Sequence, residues 1–100
     1  MTRTLPDLRA SFEESWPGVR SNLYDSQLHI AHLLTRPMHG ADIERIRQKG
    51  ERGHLEHGGT IEQFTPEMYL LNIVEELDDA LYYCAHWTRH HGSPSLLYQV

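Results

Sequence analysis

The stretch that decides the fold is residues 65–90, which read TPEMYLLNIVEELDDALYYCAHWTRH. Thr65 followed by Pro66 is typical of a helix start, with a capping hydroxyl before a proline at the first helical position. At about 100° per residue, one broad apolar stripe follows this helix and predicts its buried face. The stripe comprises Leu70, Ile73, Val74, Leu77, Leu81 and Cys84. We therefore predict a long helix over residues 66–90 that packs into a core.

A second, polar stripe lies beside the apolar one on the same helix. It contains Asn72, Glu76, Asp79, Tyr83 and His90. The run Glu75-Glu76-Leu77-Asp78-Asp79 has four carboxylates in five positions, which raise each other's pKa unless a cation neutralises them. Glu76 and Asp79 are three residues apart, so their oxygens could share one hard cation. The alternative is a solvated acidic face, which the run alone favours.

The rest of the chain also shows helical spacing, interrupted by prolines and glycines. Residues 19–35 are amphipathic and end before Pro37, and residues 41–57 end at Gly58-Gly59. We predict an all-α fold, a small antiparallel helical bundle completed by dimerisation. The predicted single domain spans 1–100, with 1–18 as an extension or short helix and 19–35, 41–57 and 66–90 as the main helices.

Composition limits the possible functions. One hundred residues make one domain with a modest core. A net charge of −5 argues against nucleic acid as a partner, and the excess of carboxylates suits recruitment of Mg²⁺ or Mn²⁺. Cys84 is the single cysteine, which excludes an intrachain disulfide and a thiolate zinc cluster. Because there is no membrane-length apolar run and no signal peptide, we expect a cytoplasmic protein without membrane contact.

The helix predicted over 41–57 carries a basic row. Arg45, Lys49, Arg52 and Glu56 recur at intervals of four, three and four, and therefore share one face. Such a row would suit a triphosphate tail, although ordinary solvated side chains are the alternative. Gly50 and Gly53 weaken this helix, which indicates either close approach of another helix or local fraying.

Two motifs together resemble a known family. Residues 52–60 read RGHLEHGGT, and residues 72–83 read NIVEELDDALYY. This pairing resembles short MazG-like proteins, many of them phage-encoded, in which RGxxEHGG precedes a helix with EExxDxxxY. The wider family comprises all-α nucleoside triphosphate pyrophosphohydrolases that use carboxylate-bound Mg²⁺ and release a nucleoside monophosphate and pyrophosphate. The resemblance covers about residues 45–85.

The resemblance implies a set of site residues and partners. Glu56, Glu76 and Asp79 match the metal ligands, for Mg²⁺ or Mn²⁺, and Tyr83 matches the aromatic residue one turn further along. It also implies metal-assisted hydrolysis, a homodimer or higher homo-oligomer, and a host cytoplasm if the chain is phage-encoded. The catalytic candidates are Glu75 and Glu76, and the substrate-binding candidates are Lys49, Arg52, Asn72 and Tyr83.

One departure from the family bears on catalysis. Classical members have a second upstream glutamate three residues from the first, where this chain has Gly53 and Gly59. Glu75 or His57 could replace the lost ligand, or hydrolysis could be lost while the fold is kept.

Two other functions are open on the residues alone. One is a non-catalytic helical module that binds a protein partner or a nucleotide. The other is a transition-metal site built from His29, His32, His86 and His90, whose spacings of three and four place each pair on one helix face.

Overall fold

The fold is all-α, as the sequence predicts. A computed structural model describes residues 2–58 and 61–100, and all regular secondary structure within these ranges is helical. The α-helices are α1 (Leu5–Ser21), α2 (Leu23–Leu34), α3 (Gly40–His57) and α4 (Pro66–His91), and the 3-10 helices are Ile61–Gln63 and Ser95–Gln99. The chain divides into two compact units. The first unit comprises the residues up to 35 together with 77–100, and the second comprises 36–76.

Helix α1 begins with a reciprocal cap. The hydroxyl of Thr4 accepts a hydrogen bond from the backbone N–H of Asp7, at 3.3 Å. In return the Asp7 carboxylate accepts from the backbone N–H of Thr4, at 3.1 Å. These bonds satisfy amide groups that have no partner inside the helix. The hydrogen bonds from Thr4 lower the pKa of the Asp7 carboxyl, since they favour its charged form.

The boundary between the first two helices differs from the prediction. The sequence analysis placed a boundary between residues 18 and 19, but α1 continues through Pro17 to Ser21 and α2 begins at Leu23. A proline inside a helix removes one backbone donor, and α1 continues past it to a last turn in which Val19 is buried. The first three residues of the helix predicted over 19–35 therefore belong to α1, and most of the remainder forms α2.

Local signals fix the limits of α3. At its start, the Asp42 carboxylate accepts a hydrogen bond from the backbone N–H of His39, at 2.9 Å. At its end, Gly58 has a φ of 73°, in the left-handed region where a β-carbon is disfavoured. The sequence predicted this helix over residues 41–57, with a stop at Gly58-Gly59. Gly58 does end the helix, and Gly59 lies outside the described residues.

Helix α4 also starts where its local signals lie. The hydroxyl of Thr65 accepts a hydrogen bond from the backbone N–H of Met68, at 3.2 Å. Pro66 is the first helical residue, where its missing N–H costs nothing. None of the described helices is both long and apolar enough to cross a membrane.

The first unit contains the buried residues. Val19 of α1, Ser26 of α2 and Cys84 with Ala85 of α4 are buried, and Pro94 after α4 is also buried. The hydroxyl of Ser26 is satisfied because it donates to the carbonyl of Asn22, at 2.7 Å. Helix α2 contacts both α1 and the 3-10 helix Ser95–Gln99. The core of this unit therefore combines residues from the first two helices with residues from the last part of the chain.

The second unit has no core of its own. No described residue between 36 and 76 is buried. Helix α3 contributes no buried residue, and large apolar side chains such as Ile46, Leu70 and Ile73 are more than half exposed. The expectation that the α4 stripe is buried along its whole length is therefore wrong for a single chain. Cys84 is buried, but Leu70, Ile73 and Val74 are exposed.

Candidate metal and nucleotide site

Three candidate carboxylates of the site lie next to one another on α4. Glu75, Glu76 and Asp79 are all exposed. None of them forms a hydrogen bond or an ion pair with the residues that the structure describes. Glu76 and Asp79 lie one turn apart on the same side of the helix, at angular positions that differ by about 60°. Unpaired carboxylate oxygens in this arrangement are the donors that Mg²⁺ and Mn²⁺ prefer.

Glu56 lies in the last turn of α3. Its side chain is 72% exposed, and Nε2 of the neighbouring His57 lies 3.9 Å from its carboxylate. The carboxylate is therefore free to bind a cation with little loss of an existing contact. Across the described residues, no three Asp, Glu, His or Cys side chains of one chain gather in a group that could hold a metal ion.

The basic side chains in the row on α3 differ in whether they already pair with a carboxylate. The guanidinium of Arg45 donates to the Asp42 carboxylate, at 2.9 Å. Lys49 and Arg52 are exposed and form no ion pair within the described part of the chain. These two cations, one turn apart, are the ones available to a phosphate group.

A neighbouring arginine on α3, Arg47, is already paired with carboxylates of its own helix. Arg47 bonds to the carboxylates of Glu44 and Glu51 on its own helix, and these bonds raise the pKa of its guanidinium. The same contact with Arg47 lowers the pKa of the Glu44 carboxyl. All three side chains are exposed, so the cluster adds little to stability.

The two remaining candidates differ in what they already contact. The side-chain amide of Asn72 donates to the carbonyl of Met68, at 2.7 Å, so its nitrogen is already used within α4. Tyr83 is 73% exposed, and the ring lies on the same side of α4 as Glu76 and Asp79. Its ring face is available for stacking on a planar group.

The candidate histidines do not form one site. His29 bonds through Nδ1 to the hydroxyl of Tyr98, and the ring of His32 lies 4.4 Å from the ring of Tyr98. The rings of His86 and His90 stack on each other, with centroids 5.8 Å apart. Each pair has its own neighbours, and no group of four imidazoles is present among the described side chains.

An aromatic row in the first unit was not expected from the sequence. Phe12 stacks on Trp16 at 5.5 Å and on Tyr82 at 6.4 Å, and Tyr82 in turn contacts His86 at 4.4 Å. The Nε2 atom of His86 is buried there without a hydrogen-bond partner. The spacing of four residues within each of the pairs Phe12–Trp16 and Tyr82–His86 was the available sequence signal for this row.

Comparisons of the chain with protein-family models, with curated proteins and with solved structures found no match. The two motifs quoted above therefore carry the resemblance to MazG-like proteins by themselves.

Proposed function

We propose that this chain is a metal-dependent nucleoside triphosphate pyrophosphohydrolase that works as a homo-oligomer. The observation that supports the proposal is the pairing of the sequence RGHLEHGG, whose first six residues lie on α3, with EELDDALYY on α4. In addition, the candidate ligand carboxylates on both helices are exposed, and those on α4 form no ion pair with described residues. Excess negative charge on α4 is otherwise unfavourable, and a divalent cation would relieve it.

In this proposal each group has a chemical task. Glu56, Glu76 and Asp79 would hold Mg²⁺ or Mn²⁺, which supplies Lewis acidity at the α-phosphate when it is bound. Glu75 would accept the proton of the attacking water. Lys49 and Arg52 would bind the leaving pyrophosphate, and Tyr83 and Asn72 would contact the nucleoside. A second copy of the chain would complete the ligand set, because the described residues of one chain contain no group of three ligands.

The direct test is release of pyrophosphate from a panel of nucleoside triphosphates in the presence of Mg²⁺. We expect turnover by the native protein and a fall of at least about 100-fold in Glu76→Gln, since one metal ligand is lost. Asp78→Asn is the matched control, because Asp78 carries the same charge but lies on another side of α4. Absence of turnover in the native protein, or equal turnover in Glu76→Gln, would exclude the enzyme.

A second function is favoured by a specific observation. The exposed apolar side chains of residues 36–76 are what a non-catalytic helical interaction module would present to its partner. In a module, replacing Glu76 by Gln and Asp79 by Asn together would raise stability without any metal, because repulsion is relieved. In an enzyme the same double variant would lose stabilisation by Mg²⁺.

A further inference from the structure

Two histidines of α2 meet a tyrosine near the end of the chain. Nδ1 of His29 hydrogen-bonds to the hydroxyl of Tyr98, and the two rings contact edge to face with centroids 5.5 Å apart. The ring of His32, one turn further along α2, lies 4.4 Å from the same tyrosine ring. Two imidazoles and one phenol therefore gather in the first unit, although 69 positions separate His29 from Tyr98.

The fold holds this cluster from two sides. His29 and His32 lie three residues apart on a regular helix, so their rings project from the same side of α2. Tyr98 belongs to the 3-10 helix Ser95–Gln99, which packs against α2. Pro94, directly before this short helix, is buried. The position of the phenol therefore rests on burial of its own segment as well as on its hydroxyl.

The hydrogen bond between His29 and Tyr98 sets a spacing that a metal ion also needs. In that bond one proton lies between a nitrogen and an oxygen, each of which can donate a lone pair. Hydrogen-bonded nitrogen and oxygen atoms are about 2.7–3.2 Å apart. Two donors that bind one metal ion at about 2.0–2.2 Å, with an angle of about 90–110° between them, are about 2.8–3.6 Å apart. Because these ranges overlap, a metal ion can replace the proton with little movement of either ring.

The third ring supplies a further donor and the site is open to water. Neither ring nitrogen of His32 hydrogen-bonds to a described residue. His32 is exposed, so its ring can turn about the side-chain bonds and direct a nitrogen at the same ion. Tyr98 is 46% exposed and His29 is partly exposed. An ion can therefore enter from the solvent and keep water at its remaining positions.

The donor set selects the class of metal. Mg²⁺ takes oxygen ligands only, whereas a mixed set of imidazole nitrogen and oxygen suits Cu²⁺. Among the divalent ions of the first transition row, Cu²⁺ also binds such donors most strongly. A phenol keeps its proton at neutral pH, so binding as phenolate releases one proton to the solvent. The negative charge of the phenolate then offsets part of the charge of the ion.

We infer that His29, His32 and Tyr98 form a Cu²⁺-binding site on the first unit. The site shares no residue with the proposed hydrolase, and it needs neither nucleotide nor carboxylate. It also differs from the four-histidine site considered from the sequence, since His86 and His90 have neighbours of their own. A copper titration and a hydrolysis assay therefore give independent results.

The test is a titration of the whole chain with Cu²⁺, followed by calorimetry and by visible absorption. We expect one ion per chain and a charge-transfer band that arises only when a phenolate binds the ion. Tyr98→Phe should remove this band and weaken binding by at least about tenfold, since one ligand is lost. Tyr24→Phe is the matched control and should keep both, because Tyr24 is exposed and its hydroxyl has no hydrogen bond to the described residues.

Two histidine variants protect the test against misfolding. His32→Gln should weaken binding by at least about tenfold and leave the helical content unchanged, because its ring makes no hydrogen bond to the described residues. His90→Gln is the matched control, since His90 is an exposed member of the other histidine pair, and it should bind Cu²⁺ like the native protein. Weaker binding in His90→Gln but not in His32→Gln would assign the ion to the other pair and overturn the inference. A native protein without the charge-transfer band, or a band that persists in Tyr98→Phe, would overturn it as well.

Discussion

The hydroxyl of Tyr98, close to the end of the chain, hydrogen-bonds to Nδ1 of His29 in the middle of α2. The two residues are 69 positions apart, and the Tyr98 ring also contacts His32 at 4.4 Å. Because the 3-10 helix Ser95–Gln99 is too short to be stable alone, its position on α2 depends on this contact and on the buried Pro94. Tyr98 therefore attaches the last residues to the first unit.

Removing the Tyr98 hydroxyl should loosen this attachment. We expect Tyr98→Phe to lower the free energy of unfolding by about 0.5–1 kcal/mol, since the bond is partly exposed to water. Amide hydrogen exchange in residues 95–99 should increase more than exchange in α1. Tyr24→Phe is the matched control, because Tyr24 is 70% exposed and its hydroxyl has no hydrogen bond to the described residues. Equal effects of the two variants would show that the Tyr98 hydroxyl has no structural role.

The start of α3 should respond to acid through Asp42. The backbone N–H of His39 and then the Arg45 guanidinium lower the pKa of this carboxyl below its ordinary value of 3.8. A lowered pKa in the folded chain contributes stability above the unfolded value, and this contribution is lost as the pH falls through the folded value. We therefore expect the first turn of α3 to fray only at a pH below 3.8, as measured by carboxyl and amide NMR titration.

Two arginine variants separate the causes of that shift. Arg45→Gln should raise the pKa of Asp42 only in part, because the stronger cause, the N–H of His39, remains. Arg47→Gln should leave the pKa of Asp42 unchanged and raise that of Glu44, its own partner. A pKa of Asp42 that returns fully to 3.8 in Arg45→Gln would contradict the role of the backbone hydrogen bond.

Metal binding should be visible as a change in stability without any nucleotide. Mg²⁺ at 100 times its dissociation constant stabilises a folded site by about 2.7 kcal/mol, so the melting temperature should rise with Mg²⁺ concentration. Glu76→Gln and Asp79→Asn should each remove most of this rise. Asp78→Asn should retain it, since Asp78 points to another side of α4. A rise that persists in Glu76→Gln would exclude Glu76 as a ligand.

Most helix limits could be predicted because the signals are local. Thr65 and Pro66 start α4 through their own hydroxyl and ring, and the left-handed Gly58 ends α3 through its own backbone. Pro17 is the exception, because α1 stays helical past a residue that normally ends a helix, and its last turn contains the buried Val19.

The candidate site was predicted only as residue types on helix faces. Periodicity places Glu76, Asp79 and Tyr83 on one side of α4, and this placement requires nothing beyond the helical repeat. Whether Glu56 reaches them depends on how helices pack, and packing is a property of facing surfaces rather than of spacing along one segment. The contact of Tyr98 with His29 had no sequence signal for the same reason.

By itself the sequence determined that this protein is helical and where most of its helices begin and end, because caps, prolines and the 3.6-residue repeat act within a few residues. Only the tertiary structure decided which parts of the apolar stripes are buried. Cys84 is covered and Ile73 is not, although both belong to one stripe with one pattern. The physical reason is that burial requires a second surface. The amino-acid order along one helix does not specify which surface packs against it.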